Sequence, residues 1–131
     1  MKKVLLVMAV VAMILVGCSK DTNVFDYYIA NSDWTPMNNE YHYVKIDIPQ
    51  ITREVAEHGI VEVTNFYEDN GIFYYSPLPA IITDVDTNGN HNATLIDFDY
   101  TVGKLYIYVT PSNLNLFENP GDLSFRVAIR R

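Results

Sequence analysis

The sequence predicts an all-β protein, an antiparallel β-sandwich of immunoglobulin-like or related type with about seven or eight strands and one short helix. Three observations carry that expectation. From Val24 onward, apolar and polar residues alternate with a period of two, in runs of five to eight residues rich in β-branched and aromatic side chains. Turn-forming residues interrupt those runs every 8 to 12 residues, the spacing of a sandwich or a barrel-like variant. Apolar residues make up 49% of the chain and include ten Tyr, six Phe and one Trp, enough to build a core without disulfides.

Before Val24 the pattern differs. Lys2 and Lys3 form a basic start, and Val4 to Val16 is a 13-residue apolar run, short of the ~20 residues that span a bilayer. Residues 1–17 therefore read as a secretory signal peptide rather than an anchor helix. The stretch Leu15-Val16-Gly17-Cys18 resembles the lipobox of bacterial lipoproteins, in which the Cys is diacylated and becomes the new N-terminus. That resemblance implies palmitate-type acyl chains on Cys18 and a membrane reached through them, each buried CH₂ contributing ~0.8 kcal/mol. Cys18 is the sole cysteine, so lipidation leaves no thiol for a disulfide or a metal site. Residues 18–23 then read as a lipidated tether and residues 24–131 as one domain. The expected location is the outer membrane of a cell envelope, with the choice between its periplasmic and surface faces open.

Removing residues 1–17 takes Lys2 and Lys3 and leaves seven basic against 16 acidic residues, a net charge of −9. An acidic surface repels phosphate backbones and anionic headgroups. Nucleic acid is thereby excluded as a partner class, and membrane attachment falls to the acyl chains alone.

Strands are expected at Val24 to Ile29, Tyr41 to Ile48, Ile60 to Tyr67, Ile72 to Ser76, Ala80 to Val85, Ala93 to Tyr100, Leu105 to Thr110 and Leu123 to Arg130. Alternation assigns Val44, Ile46 and Ile48 to the core against Tyr43, Lys45 and Asp47 outside. It does the same for Leu105, Ile107 and Val109 against Tyr106, Tyr108 and Thr110. Leu123, Phe125, Val127 and Ile129 likewise face in, with Ser124, Arg126 and Arg130 out. Asn70-Gly71 tolerates the positive φ angles of a two-residue hairpin turn. Pro77-Leu78-Pro79 removes two backbone donors, so pairing must stop or switch sheets there. Ile51 to His58 is the one helix expected, with Thr52 as its cap and Gly59 just past its end.

The series Trp34, Tyr43 to Thr52, Val55, Gly59 to Val63, Leu78-Pro79, Asp97-Phe98-Asp99-Tyr100, Gly103 and Pro120 to Val127 resembles a group of small uncharacterised Bacteroidota lipoproteins. The resemblance implies the same layout, a lipobox followed by one compact β domain. It implies no activity and no cofactor.

Three constellations invite a chemical reading. Asp84-Val85-Asp86-Thr87-Asn88-Gly89 has the opening of a calcium loop, with Asp84, Asp86 and Asn88 as candidate ligands. The bidentate acid expected at the twelfth position is Leu95, so a polar hairpin loop is the favoured reading and no metal is expected. Tyr43, Tyr106 and Tyr108 point outward and form a binding platform for glycan or protein if their strands are neighbours; otherwise they are simply good strand formers. Asp97 and Asp99 share a face of one strand, as a glycosidase pair or as two solvated acids on an edge strand. His42, His58 and His91 have no metal-ligand spacing. No nucleophile elbow or phosphate loop occurs, so no enzyme is expected.

Pro111 to Asp122 is a long connection in which Leu114, Leu116 and Phe117 are expected to plug one end of the core. Two functions follow from these readings. One is a lipid-anchored binding module for glycan or envelope protein; the other is a structural or assembly accessory of the outer membrane with no soluble ligand.

Overall fold

The computed structural model describes residues 22–85, 87–112 and 119–131, and these form an antiparallel all-β sandwich. The nine strands are β1 (Thr22–Ile29), β2 (Thr35–Met37), β3 (Tyr41–Asp47), β4 (Ile60–Asp69), β5 (Ile72–Pro77), β6 (Ala80–Val85), β7 (His91–Thr101), β8 (Lys104–Pro111) and β9 (Leu123–Arg130). One sheet has the order β1-β9-β4-β5 and the other β2-β3-β8-β7-β6. Every pairing is antiparallel.

Alternation delivers the core. Phe125, Val127 and Ile129 on β9 and Leu105, Ile107 and Val109 on β8 are buried, facing each other across the two sheets with Ile46, Val61, Val63 and Ile96. Val44 and Leu123 are half-buried against the same cluster. His42 is the polar exception on β3, buried with its Nε2 lacking a hydrogen-bond partner among the described residues. Asn65, also buried, is satisfied: its side-chain amide donates to the Ser124 carbonyl at 3.0 Å.

The chain crosses between the sheets four times. After β1, the 3₁₀ turn Asn31–Asp33 leads into β2, and Trp34 beside it is buried edge-on against Phe125, ring centroids 6.5 Å apart. Trp34 Nε1–H donates to the Gly121 carbonyl at 2.9 Å, and the Gly121 N–H donates back to Asn31 Oδ1 at 2.8 Å. The Asn31 N–H reaches Asp122 Oδ1 at 2.6 Å. The first crossing thus clasps the end of the last one and closes that end of the sandwich.

The second crossing carries the helix α1 (Arg53–His58), where Thr52 Oγ1 accepts the Val55 N–H at 3.2 Å. It starts two residues later than the sequence suggested, because Ile48 and Ile51 are core residues held on the β7–β8 turn. Ile48 N–H donates to the Gly103 carbonyl, and Gly103 N–H to the Ile51 carbonyl, both at 2.8 Å. Gly59 ends the helix for a different reason from the one expected. Its φ is −110°, not left-handed, and a Cβ there would collide with the Arg130 carbonyl oxygen. At the third crossing, Pro77-Leu78-Pro79 moves the chain from β5 to β6 and hence from one sheet to the other, as two missing donors require.

Asn70 and Gly71 join β4 to β5 with φ of 54° and 82°, the two positive angles of a type I′ hairpin. Two other expectations change. Thr22 and Asn23, read as tether, pair with Arg130 and Ile129 and belong to β1. β2 is an unanticipated ninth strand, three residues long with Pro36 inside it. Leu114, Leu116 and Phe117 lie outside the described residues.

Phe125→Ala removes the largest fully buried side chain from this interface. It should cost about 3–5 kcal/mol in urea denaturation, whereas Tyr67→Ala on the exposed part of β4 should stay within about 1 kcal/mol.

Candidate functional site

The outward face of the five-stranded sheet gathers the tyrosines that the sequence singled out. Tyr43 on β3 lies opposite Tyr108 on β8, and Lys45 opposite Tyr106. On the other side of β8, Asp97 lies opposite Tyr108 and Asp99 opposite Tyr106, both on β7. Tyr43, Tyr106 and Tyr108 are therefore neighbours, all half-buried. The Tyr106 and Tyr108 rings are nearly parallel, with centroids 6.5 Å apart and planes 16° apart. Tyr41, which the sequence reading passed over, packs edge-on to Tyr108 at 5.4 Å.

β7 lies between β8 and β6, but β6 pairs with it only as far as Ile96, so Asp97 and Asp99 lie on the part of β7 that is bonded to β8 alone and is open on its other side. Asp97 Oδ1 accepts the Phe98 N–H at 2.8 Å. Asp99 Oδ1 accepts the Tyr108 hydroxyl at 3.0 Å, which fixes that ring's tip. The Tyr108 hydroxyl is pushed up to about 12, first by desolvation, then by the bond to Asp99 and by that carboxylate's charge. The result is a contiguous surface of ring faces and hydroxyls, bordered by two carboxylates on one side and Lys45 on the other.

A second aromatic surface lies on the opposite sheet and was not anticipated. Arg126 on β9 binds Asp26 of β1 through two contacts, Nε to Oδ1 at 2.8 Å and an Nη to Oδ2 at 3.1 Å. Its guanidinium lies over Phe66 at 5.2 Å and over Tyr75 at 5.8 Å. Phe66 and Tyr75 stack at 6.1 Å, and Phe73 and Tyr75 at 6.5 Å. On the reverse face of the same hairpin, Tyr67 and Tyr74 stack at 5.3 Å. The outward residues of four strands compose this surface, so only the register reveals it.

The three histidines are dispersed: His42 is buried in β3, His58 is exposed in the last turn of α1, and His91 is exposed at the start of β7. The Asp84-to-Asn90 segment bridges β6 and β7 as a hairpin in which Asp84 lies opposite Asn92 and Val85 opposite His91. Asn88 is in the exposed turn, and Asp86 lies outside the described residues. Among the described residues, no group of three or more His, Cys, Asp or Glu is placed to hold a metal ion. Also among them, no helix is long and apolar enough to cross a membrane. Cys18 lies outside the described residues.

These features define an antiparallel β-sandwich with aromatic surfaces on both sheets. Comparison with protein-family models, curated proteins and solved structures finds no match for this chain.

The raised folded-state value of Tyr108 sets a sign for its alkaline behaviour. The unfolded hydroxyl ionises near 10, so its contribution to stability is complete below pH 10 and is lost as the pH rises toward 12. A spectrophotometric titration should show a late tyrosinate step that disappears in Tyr108→Phe and moves toward pH 10 in Asp99→Asn; an unchanged late step in both would contradict the assignment.

Proposed function

We propose that this chain is a lipid-tethered, non-enzymatic binding module of the cell envelope, held at an outer membrane through acyl chains on Cys18, and that its tyrosine face binds a neutral glycan. The observation that supports the binding role is the single outward face on which Tyr41, Tyr43, Tyr106 and Tyr108 adjoin Asp97 and Asp99. A sugar ring offers an apolar face and a rim of hydroxyls. Aromatic rings match the first, while phenol and carboxylate oxygens match the second. The carboxylates and the chain's net charge of −7 favour an uncharged saccharide over a polyanion.

The reading as a structural or assembly accessory draws on a different surface, the exposed β4–β5 hairpin, and needs no soluble ligand. The two readings separate on a glycan array probed with residues 21–131. Saturable binding that falls about tenfold or more in Tyr106→Ala and Tyr108→Ala is expected, the effect of removing an aromatic anchor worth ~1.4 kcal/mol or more. A blank array, or binding indifferent to both substitutions, would overturn the glycan reading. The tether has its own test: the full-length chain should incorporate labelled palmitate and Cys18→Ala should not, and label retained in that variant would refute it.

A further inference from the structure

The β4–β5 hairpin leaves the core partway along its length. On the inward face of β4, Val61, Val63 and Asn65 are buried, but Tyr67 is 47% exposed. On β5, Ile72, Phe73, Tyr74 and Tyr75 are 56%, 53%, 43% and 55% exposed, and no β5 residue is buried. The strand therefore shows apolar side chains to solvent on both of its faces. It is also the terminal strand of its sheet, with no neighbour beyond it among the described residues.

Terminal strands are ordinarily protected against pairing by charge, proline or shortness. The other three in this protein conform. β1 carries Asp26, β2 is three residues with a central Pro36, and β6 carries Asp84. β5 reads Ile-Phe-Tyr-Tyr-Ser-Pro, with no charged residue and its one proline at the far end. A flat ligand would cover one face only. An added β-strand, whose side chains alternate between faces, covers both.

The hairpin geometry says how such a strand would dock. In a two-residue turn the closing pair, here Asp69 and Ile72, is hydrogen-bonded, so Ile72, Tyr74 and Ser76 turn their backbone groups toward β4. Phe73 and Tyr75 consequently turn theirs toward the open edge. From this we propose that the β5 edge is a self-association site, at which a second copy of this chain adds its own β5 antiparallel across a two-fold axis at Tyr74.

The strand is self-complementary about that axis. Phe73 falls opposite the second copy's Tyr75 on the outward face, each pair exchanging two backbone hydrogen bonds, and Tyr74 falls beside its own copy on the inward face. Aromatic cross-strand pairs of this kind are favourable. Glu68 and Asp69, next to the turn, go to opposite ends of the pair, so the acidic groups do not meet. One open β5 edge per chain, related by a two-fold axis, closes at a dimer rather than a fibre.

The size of the contact sets its strength. About half of each of four side chains is open, which is on the order of 100 Å² apiece, or ~800 Å² over both copies, below the standard interface. The dimer is accordingly weak, forming at high concentration or where copies are crowded on a surface. It uses neither the tyrosine face nor its ligand, so it stands or falls apart from the glycan reading.

Tyr74→Cys in the full chain carrying Cys18→Ala tests the register. The Cα atoms at position 74 of the two copies would face each other in a non-hydrogen-bonded pair ~4.5 Å apart, within disulfide range. Mild oxidation between ~10 µM and ~1 mM should give a disulfide dimer whose yield rises with concentration. Adding Tyr75→Lys should reduce that yield tenfold or more, and Val24→Cys on the β1 edge should not crosslink. In the unsubstituted chain, the Phe73 and Tyr75 amides should exchange more slowly with deuterium as concentration rises. Exchange of those amides that is independent of concentration, or a dimer indifferent to Tyr75→Lys or equally formed by Val24→Cys, would overturn the proposal.

Discussion

β9 is the constraint on which the four-stranded sheet depends. It comes last in the chain yet lies between β1, the first strand, and β4, and pairs along its full length with β1 and over most of it with β4. Without it β1 has no strand partner among the described residues, and β4 and β5 are left as a two-stranded hairpin, which is marginal in water. Its inward residues Phe125, Val127 and Ile129 are at most 1% exposed, so the same strand that closes the sheet also fills the interface with the other one. The Trp34 clasp onto Gly121 fixes how the chain enters β9, because Trp34 packs on Phe125 while its indole holds the backbone just upstream.

That arrangement frees the outward faces. Each central strand commits its inward residues to the core, and the residues between them are available for surface chemistry at no cost to the fold. On β8 this division leaves Tyr106 and Tyr108 outside while Leu105, Ile107 and Val109 are sealed. On β9 it leaves Arg126, which joins β1 to the aromatic outer face of β4 and β5 through Asp26, Phe66 and Tyr75. The two aromatic surfaces are thus by-products of one periodicity, placed on opposite sheets. One is smooth, half-buried and bordered by carboxylates; the other ends in an edge whose backbone is open.

The sequence disclosed the features that depend on local chemistry. Alternation identified the inward sets of β3, β8 and β9 because one face of each is buried, and a one-residue error would have turned every side chain over. Asn70-Gly71 and Pro77-Leu78-Pro79 were legible because positive φ and missing donors are properties of those residues alone. Tyr43, Tyr106 and Tyr108 could be assigned outward, but their adjacency depends on β3 and β8 being paired, which alternation does not state. β2 is not legible in the sequence because three residues with a central proline carry no period. Thr22 and Asn23 looked like tether because their place in β1 is set by backbone pairing to β9, a partner some hundred residues away. β5 looked like any other strand, since propensity does not report that the core ends at Asn65.

β9 joins both ends of the chain and both sheets into one cooperative unit, and native-state amide hydrogen exchange measures this most directly. The amides of Phe125, Val127 and Ile129 should exchange at the same slow, globally limited rate as those of Leu105, Ile107 and Val109 on β8. Exchange of the β9 amides through a lower-energy local opening, while β8 stays protected, would show that the five-stranded sheet stands without β9 and would contradict this view of the fold.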